Sequence, residues 1–573
     1  MKWDWRSAAV AWWAVAVALT GAVAGDERID IAVGMSGSQP IAARVTAADW
    51  DHFTKRTRVL LVGDGPRSAK SIEDAWEWFH RDEQAQLRKS FALSAVPNAA
   101  PIKKGREAAL RGFPPPGPAY KSPWSVENQY LWRWIGMHAP DLVVVVDAGD
   151  SEGALVASTG GKALRSIRRP APVTQTPATQ DAKSRRLGAA LAKYAACETG
   201  VIDAVHLNSG GGAESIQVLL GELQRVGFQG PSAARLELQK RLARAPVEVA
   251  QQLSQHYGRD LKQVVYIPAL ALVARLRLGE LTGDDQHALD VKRIVAPYYK
   301  GEKPSAPKSG SGLSGHLIFA ELAAMTTGEE RQRYIELTRA AADLGLDDRG
   351  RAADHMPFHS EMSDALFMGG PILTRTARLT GNEQYTVACR NHLRFMRRLV
   401  WRDGVYRHSP LDEAAWGRGN GFPALGLAMC LSDLPEADPR RDEFLNYYRE
   451  HLTALRQLQD PSGCWRQVVD RPGSYRELTS TCMITYAMVR GIRRGWLSED
   501  EFGPAVSRAW KAILTRAPAN GRLVDVCTGT GKQQTLRDYY NRTAILGPDA
   551  RGGAMAMLIS VEMAAWRKEQ QSR

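Results

Sequence analysis

The sequence predicts a chain of two parts, an N-terminal α/β domain followed by an all-α domain of paired helices. From about residue 28 to 250, short apolar runs alternate with helical stretches. From about residue 265, one helical stretch follows another and strand signals are nearly absent. A turn sequence also recurs between successive helices. With 573 residues, the chain is too long for one ordinary core, and we expect two or three domains.

Three apolar runs predict buried strands in the first part. They are residues 59–62, residues 141–146 with the sequence DLVVVV, and residues 201–205. Runs of this kind between helical segments are typical of a mainly parallel sheet with helices on its faces.

Apolar residues at helical spacing predict about twelve helices in the second part. They cover residues 267–281, 285–299, 314–327, 331–345, 361–379, 383–400, 420–432, 440–458, 477–494, 499–516, 533–543 and 552–569. Residues 303–312 are rich in Pro, Ser and Gly and predict a long loop among them.

The recurring turn contains Gly283, Gly328 or Gly381. Glycine suits the left-handed position that ends a helix, and the acidic or amide residue after it can cap the next helix. Such units every 45 to 55 residues or so indicate stacked αα-hairpins. Six hairpins that close on themselves form an (α/α)6 barrel, while an open helical solenoid is the alternative.

The first residues predict a secretory signal peptide. Lys2 and Arg6 precede an apolar run over residues 8–19, and the small residues of 22–24 precede Gly25. The apolar run is about 12 residues long, whereas a membrane span needs roughly 20. We predict cleavage after Ala24 and export to the periplasm or the medium, and a retained membrane anchor is the alternative. The predicted mature domains are residues 25–250 and 251–573, with no membrane contact after cleavage.

The net charge of +13 indicates an anionic partner. Basic residues are scattered and are not interleaved with the aromatic side chains that single-stranded nucleic acid needs, so an acidic substrate is the better prediction. The six cysteines show no CxxC spacing. We therefore predict neither a metal site nor a cofactor, and we assign no disulfide.

One candidate site segment is residues 359–371, which begins with His359 and contains Asp364. Asp364 stands among apolar residues, where a carboxylate must be paired, hydrogen-bonded or protonated. The alternative is that Asp364 only caps the helix that follows.

Residues 404–422 crowd His408, two carboxylates, Trp416, Arg418 and an amide around glycines. Tryptophan offers a face to a sugar ring, and arginine can bind a carboxylate through two hydrogen bonds. Composition alone is equally compatible with a solvated turn. Residues 475–481 place hydroxyl groups at a helix N-terminus, where they can cap the helix or hold an anion.

Five motifs, in order, resemble the unsaturated rhamnogalacturonyl hydrolases and the related unsaturated glucuronyl hydrolases. They are SDALFMGGP, WGRGNGF, YRELTSTCMITYAMVRGIRRGWL, DVCTGTG and GPDARGGAMAMLISVE. The similarity covers about residues 265–569. It implies that the predicted hairpins close into an (α/α)6 barrel.

The resemblance also implies a reaction. These enzymes remove the 4,5-unsaturated uronic acid that a polysaccharide lyase leaves at a non-reducing end. They hydrate its enol-ether double bond, so one acid/base carboxyl group can serve where ordinary glycosidases use two.

By position in the motifs, Asp412 corresponds to that acid/base and Asp364 to a second aspartate that hydrogen-bonds the sugar. The residues implied to contact substrate are His359, His408, Trp416, Arg418, Asn420, Ser480 and Thr481. His408 and Asp412 are only four residues apart and Phe422 replaces a usual Trp, so Glu413 remains the rival of Asp412.

The first domain resembles the zinc carboxypeptidase fold where residues 59–63 run into a small-residue turn. Residues 63–68 lack the His and Glu that bind zinc in that family, so we expect a degenerate domain without peptidase activity. Two other functions compete with the hydrolase: a helical barrel that binds acidic saccharides without turnover, and a peptidase or amidase centred on the first domain.

Overall fold

The computed structural model describes residues 28–101, 110, 112–117, 126–147, 155–158, 164, 186–210 and 212–572. The predicted signal peptide lies outside the described residues. None of the described helices is long and apolar enough to cross a membrane.

The N-terminal part is built on a seven-stranded sheet. Its strands are β1 (Arg28–Ser36), β2 (Gln39–Thr46), β3 (Thr57–Gly63), β4 (Phe91–Val96), β5 (Leu142–Asp147), β6 (Leu155–Ser158) and β7 (Asp203–Asn208). Their order is β1-β2-β4-β3-β5-β7-β6. The central strands β4, β3, β5 and β7 are parallel, while β1, β2 and β6 join antiparallel at the two edges. The three predicted strands correspond to β3, β5 and β7.

Helices cover both faces of this sheet. They are α1 (Pro66–Phe79), α2 (Ala85–Ser90), α3 (Val126–His138), α4 (Leu187–Lys193), α5 (Glu214–Arg225) and α6 (Ala233–Leu242). Along β3, Val59 and Leu61 share a core with α1 and α5, whereas Leu60 and Val62 share a core with α3 and α4. Alternate side chains of a strand point to opposite faces, which explains why β3 reads as a continuous apolar run.

The C-terminal part is almost entirely helical. Its helices are α7 (Pro246–Ser254), α8 (Tyr266–Thr282), α9 (Gln286–Tyr299), α10 (Gly310–Gly315), α11 (Leu317–Met325), α12 (Gly328–Ala342), α13 (Ala365–Thr380), α14 (Gln384–Val400), α15 (Gly417–Asp433), α16 (Arg441–Gln457), α17 (Leu478–Arg493), α18 (Glu499–Arg516), α19 (Leu536–Tyr540) and α20 (Ala550–Ser572). Three short hairpins also occur: β8 (Trp401–Arg402) with β9 (Val405–Tyr406), β10 (Trp465–Arg466) with β11 (Arg476–Glu477), and β12 (Leu523–Cys527) with β13 (Ala544–Gly547).

The inner helices form a closed ring in the order α8, α11, α13, α15, α17 and α20, and α20 packs back against α8. Each inner helix carries an outer helix, namely α9, α12, α14, α16, α18 and α7 in the same order. The contact between α8 and α20 distinguishes a barrel from an open solenoid. Gly283 and Gly381 have the predicted left-handed φ, at 73° and 75°, and Asp284 and Asn382 accept hydrogen bonds from the first turns of the next helices.

The sixth helix pair joins two ends of the chain, because the outer helix α7 precedes α8 and packs on the last helix, α20. The domain boundary predicted at residues 250 and 251 therefore falls inside α7. The short α7 was missed as a part of the barrel because its partner lies about 300 residues further along the chain.

Buried ion pairs connect inner helices to one another. Glu321 on α11 accepts hydrogen bonds from Arg277 on α8 and from Arg375 on α13, and Arg375 also binds Asp433 on α15. Arg490 on α17 pairs with a carboxylate of α20. These charges lie inside a protein core, where an unpaired charge is costly, so each pair fixes two neighbouring helices relative to each other.

The two parts of the chain share one buried apolar cluster. It contains Ile31 and Val33 of β1 and Tyr130 of α3, together with Trp416 and Tyr539 of the barrel part. The α/β domain therefore packs on the end of the barrel where the inner helices α15 and α17 begin.

Candidate active site

Polar side chains converge at the N-terminal ends of α13 and α15. Asp364 occupies the position just before α13, and His408 and Asp412 lie on the segment between β9 and α15. Tyr539, on the short helix α19, reaches the same place from the far end of the chain. The backbone N–H of Ser363 donates to the carbonyl of His408 at 2.9 Å, which ties the first two segments together.

These side chains form a continuous chain of contacts. Oδ1 of Asp364 lies 3.5 Å from Nε2 of His408. Nδ1 of His408 lies 2.7 Å from the hydroxyl of Tyr539, and that hydroxyl donates to Oδ2 of Asp412 at 3.1 Å. The structure thus links the two aspartates identified in the sequence through a histidine and a tyrosine.

The hydrogen bonds of Tyr539 fix the orientation of the His408 ring. A Tyr539 hydroxyl that donates to Asp412 must accept its second hydrogen bond from Nδ1–H of His408. Nε2 of His408 then faces Oδ1 of Asp364 across 3.5 Å.

Asp364 does not serve as a side-chain cap. Its side chain makes no capping hydrogen bond to α13 and is 14% exposed. Among the hydrogen bonds of the described residues, none involves Oδ1 of Asp364 or Nε2 of His408, although both atoms are buried. Buried polar atoms without hydrogen bonds are rare in native proteins, so this pair of facing atoms is a candidate for a functional role.

The loop before Asp364 is strained. Phe358, Ser360 and Glu361 all have left-handed backbone angles, with φ values of 60°, 50° and 53°. Non-glycine residues adopt this region at a cost, and such residues cluster at functional sites. Glu361 pairs with Lys532, which connects this loop to the segment that carries Tyr539.

The structure separates Asp412 from its rival. Asp412 is half-buried, accepts from the backbone N–H of Ala414 at 2.6 Å and contacts Tyr539. Glu413 is 84% exposed and lies 3.5 Å from Arg407 on the opposite side of the chain. The chain of polar contacts therefore contains Asp412 and not Glu413.

Tyr539 was not singled out in the sequence. Burial, reinforced by the neighbouring Asp412 carboxylate, raises its pKa well above the usual value, so the phenol stays protonated and remains a donor. The sequence signal was weak because Tyr539 follows Asp412 by 127 residues in the chain.

Trp416 is 1% exposed and does not present an open face to a sugar. Its ring lies 4.4 Å from the ring of His408 and 4.7 Å from the guanidinium of Arg418, measured to ring centroids. Arg418 donates to the carbonyls of Cys527 and Thr528, at 2.6 and 2.7 Å. The predicted sugar platform is instead a wall behind His408, and Arg418 anchors the loop that leads to Tyr539.

Asn420, Ser480 and Thr481 are wholly buried, and their polar groups are used within the protein. The amide of Asn420 exchanges hydrogen bonds with the backbone of Tyr406. The hydroxyls of Ser480 and Thr481 donate to the backbone carbonyl of Glu477. These contacts give the three residues structural roles, and the predicted contacts of their side chains with substrate are not supported.

His359 lies apart from the polar chain. Its ring packs against His355 and Phe395, at centroid distances of 4.8 and 5.0 Å, and its Nδ1 accepts from the backbone of Glu361. Its predicted position beside the sugar ring stays a prediction. His408 lies next to Asp364 and reaches Asp412 through Tyr539, but it is fully buried, which does not favour its predicted contact with the sugar. His359 helps to fix the strained loop before Asp364.

Two further residues of the site were missed. Glu477 is wholly buried and accepts from the backbone N–H groups of Ser480 and Cys527, at 2.6 and 2.9 Å. Tyr266 packs its ring on Phe422, and burial raises its pKa to about 12, with Asp364 nearby adding to the effect of burial.

Within the described ranges, no group of three or more His, Cys, Asp or Glu side chains is arranged to hold a metal ion.

In the α/β domain, burial and the neighbouring Asp147 raise the pKa of Asp64 to about 6. The six cysteines are free and buried.

Comparison with known proteins finds relatives of the second half of the chain. Residues 240–566 match the family described as Glycosyl Hydrolase Family 88. An unsaturated 3S-rhamnoglycuronyl hydrolase of Formosa agariphila is 30% identical over 181 residues, which are 28% of this chain and 48% of that protein. The unsaturated rhamnogalacturonyl hydrolase YesR of Bacillus subtilis is 26% identical over 282 residues, which are 45% of this chain and 78% of that protein.

Among solved structures, a glycoside hydrolase from family 105 of C. acetobutylicum superposes with a TM-score of 0.49 and 19% identity, over 56% of this chain and 99% of that one. This chain spans less than half the length of the rhamnoglycuronyl hydrolases that it matches. The family match, in contrast, covers more than half of this chain. The chain belongs to Glycosyl Hydrolase Family 88.

Proposed function

We propose that this protein removes a 4,5-unsaturated uronic acid from the non-reducing end of acidic oligosaccharides by hydrating the C4=C5 enol ether. The observation that carries the proposal is the contact of a half-buried carboxylate, Asp412, with the Tyr539 hydroxyl, beside the buried Asp364–His408 pair. Family membership and the names of the two rhamnoglycan-acting relatives support the same reaction class.

In the proposed reaction, Asp412 in its acid form donates a proton to C4 as the double bond breaks. A water molecule adds its oxygen to C5 and returns a proton to Asp412, so the carboxyl group is regenerated. The resulting hemiketal at C5 opens to a ketone and leaves a hemiacetal at C1. The hemiacetal then breaks its bond to the glycosidic oxygen, and the remaining oligosaccharide leaves with that oxygen as a hydroxyl group. One water is consumed, and one group acts as both acid and base.

The other members of the polar chain hold Asp412 and the sugar in place. Tyr539 donates to Oδ2 of Asp412 and so fixes which carboxyl oxygen faces the substrate. The side chain of Asp364 is 14% exposed and can accept hydrogen bonds from sugar hydroxyl groups, while the fully buried His408 supports it from behind. The wall formed by Trp416 behind His408 keeps bulk water away from this side.

Export is part of the proposal and rests on residues 1–24 alone. Processing after Ala24 would place the enzyme where lyases release unsaturated oligosaccharides from extracellular polymers. The N-terminal residue of the protein recovered from the medium or periplasm tests this, and an intact N-terminus in a membrane fraction would favour the retained anchor.

The reaction is tested with oligosaccharides that lyases generate from pectin, ulvan and glycosaminoglycans. Turnover abolishes the ultraviolet absorbance of the conjugated uronate, and the released sugar is identified by mass. Binding of these oligosaccharides without loss of absorbance in any of them would instead support a non-catalytic saccharide-binding barrel.

A further inference from the structure

We propose that the α/β domain helps to position the active site of the barrel. In this proposal, Arg133 on α3 is a positioning residue for the contact between Tyr539 and Asp412. This inference rests on the proposed function for its kinetic test. It assigns a role to a domain that the family match, which begins at residue 240, does not include.

The segment between β12 and β13 delivers Tyr539 to the site. It leaves the barrel after Cys527, carries α19 with Tyr539, and returns at Ala544. Tyr539 lies on a segment that protrudes from the barrel helices, so the position of its hydroxyl depends both on its own packing and on what holds the two ends of this segment.

The barrel holds one end. Glu477 accepts from the backbone N–H of Cys527 at 2.9 Å, and Arg418 donates to the carbonyls of Cys527 and Thr528. Gln467 donates to the carbonyl of Tyr539 at 3.1 Å.

The α/β domain holds the hairpin from the other side. Nη1 of Arg133 pairs with the carboxylate of Asp525, and Nη2 donates to the carbonyl of Ala544 at 2.9 Å. One guanidinium therefore joins β12 to β13 at the base of the segment. Arg133 and Asp525 are both buried, so the pair is little screened by solvent.

Asp525 is itself held in an unusual conformation. Its φ is 62°, and the register between the two strands shifts at this position. A non-glycine residue stays in this region only when its surroundings impose it. The left-handed turn directs the Asp525 carboxylate to Arg133, so the bulge of the hairpin and the domain contact depend on each other.

A second contact supports the neighbouring hairpin. The carbonyl of Ala32 on β1 accepts from Arg466 and Arg476, at 2.9 and 3.2 Å, and both arginines also bind the buried Asp460. Arg466 and Arg476 belong to β10 and β11, next to Gln467. The α/β domain thus contacts both hairpins that border the Tyr539 segment.

The test is a double-mutant cycle in the full-length protein with Arg133→Gln and Tyr539→Phe. We expect Arg133→Gln to lower kcat about tenfold, with little change in KM, because a displaced Tyr539 loses a hydrogen bond to a charged group. In the Tyr539→Phe background, Arg133→Gln should add less than about a twofold loss, since residues that act through one contact are not additive. The proposal would be overturned if Arg133→Gln lowered kcat by the same factor in the wild type and in Tyr539→Phe, or if it left kcat unchanged in the wild type.

Arg235→Gln is the matched control. Arg235 forms an equally buried pair with Asp141 at 2.6 Å inside the α/β domain, away from the Tyr539 segment. We expect Arg235→Gln to lower the melting temperature without the change in kcat. Arg133→Lys replaces Arg133→Gln in the test if Arg133→Gln does not fold. It keeps the charge opposite Asp525 but loses the second donor, which bonds the Ala544 carbonyl. Its kcat should lie between those of the wild type and Tyr539→Phe.

Hydrogen–deuterium exchange gives a readout that does not require turnover. Exchange in residues 523–547 should accelerate in Arg133→Gln or Arg133→Lys and stay as in the wild type in Arg235→Gln. Unchanged exchange in both Arg133 variants would refute the positioning role. If no unsaturated oligosaccharide is turned over by the wild type, the proposed function fails while this measurement still decides the role of Arg133.

Discussion

The hydroxyl of Tyr539 lies 3.1 Å from Oδ2 of Asp412, although 127 residues separate them in the chain. The same hydroxyl lies 2.7 Å from Nδ1 of His408, whose other ring nitrogen faces Asp364. A single phenol therefore connects the proposed acid/base with the second aspartate, and displacement of any member should affect the others.

Asp412→Asn removes the exchangeable proton while keeping size and polarity. We expect the rate of uronate release to fall by at least about a hundredfold, with substrate binding little changed. Steady-state kinetics and calorimetric binding to the inactive variant measure the two effects.

Glu413→Gln is the matched control because Glu413 is the adjacent carboxylate and points to solvent. Its activity should remain within about twofold of the wild type, as for most surface substitutions. A large loss in Glu413→Gln, with near-normal Asp412→Asn, would transfer the acid/base role to Glu413.

Tyr539→Phe removes only the hydroxyl that contacts Asp412 and His408. Loss of a hydrogen bond to a charged group costs about 1.5–3 kcal/mol, so kcat should fall by roughly ten- to a hundredfold. The neighbouring Tyr540→Phe, which lacks this contact, should retain most of the activity. Equal activity of both variants would remove Tyr539 from the mechanism.

A chain that begins at residue 250 should be less stable than a chain that begins at residue 25, because the cut falls within α7 and removes half of the sixth outer helix. It also exposes the apolar cluster that Trp416 and Tyr539 share with β1 and α3. Sequence reasoning predicts that such a chain folds alone. We now expect a lower melting temperature and aggregation. A chain that begins at residue 244 keeps all of α7, so it should recover the share of the lost stability that comes from cutting this helix.

Periodicity predicted the barrel helices well because each has a continuous apolar face that needs only local sequence to recognise. The same approach missed β1, β2, β4 and β6, because edge and mixed strands depend on partners elsewhere in the chain. It also missed the ion pairs around Glu321, since charged residues on a helix usually indicate a solvated face.

The candidate site, like the fold, was predicted only in part. Asp364, His408 and Asp412 were identified because they lie in motifs with a recognisable order. The burial of Trp416 and the internal hydrogen bonds of Asn420 were not predictable, since both depend on packing against segments that a motif does not contain.

The ion pairs among the inner helices predict a specific acid sensitivity. Burial alone would raise the pKa of Glu321, but the guanidinium groups of Arg277 and Arg375 lower it overall, from 4.5 to about 2. A carboxyl group with a lowered pKa in the folded state stabilises the fold fully above the unfolded value of 4.5, and this contribution is lost as the pH falls towards 2.

We therefore expect the melting temperature of the wild type to fall steeply between about pH 4.5 and pH 2. Glu321→Gln should be less stable at neutral pH, by about 3–5 kcal/mol, because it leaves two buried guanidinium groups without this carboxylate. Its melting temperature should depend less on pH between about pH 4.5 and pH 2, since the titrating group is gone.

The matched control is Glu330→Gln on the outer helix α12, where Glu330 pairs with Lys292 at the surface. That variant should keep the acid profile of the wild type, because a half-exposed pair contributes about 0–1 kcal/mol. If the melting temperatures of the wild type and Glu321→Gln fell equally with decreasing pH, Glu321 would not account for the acid sensitivity of the barrel.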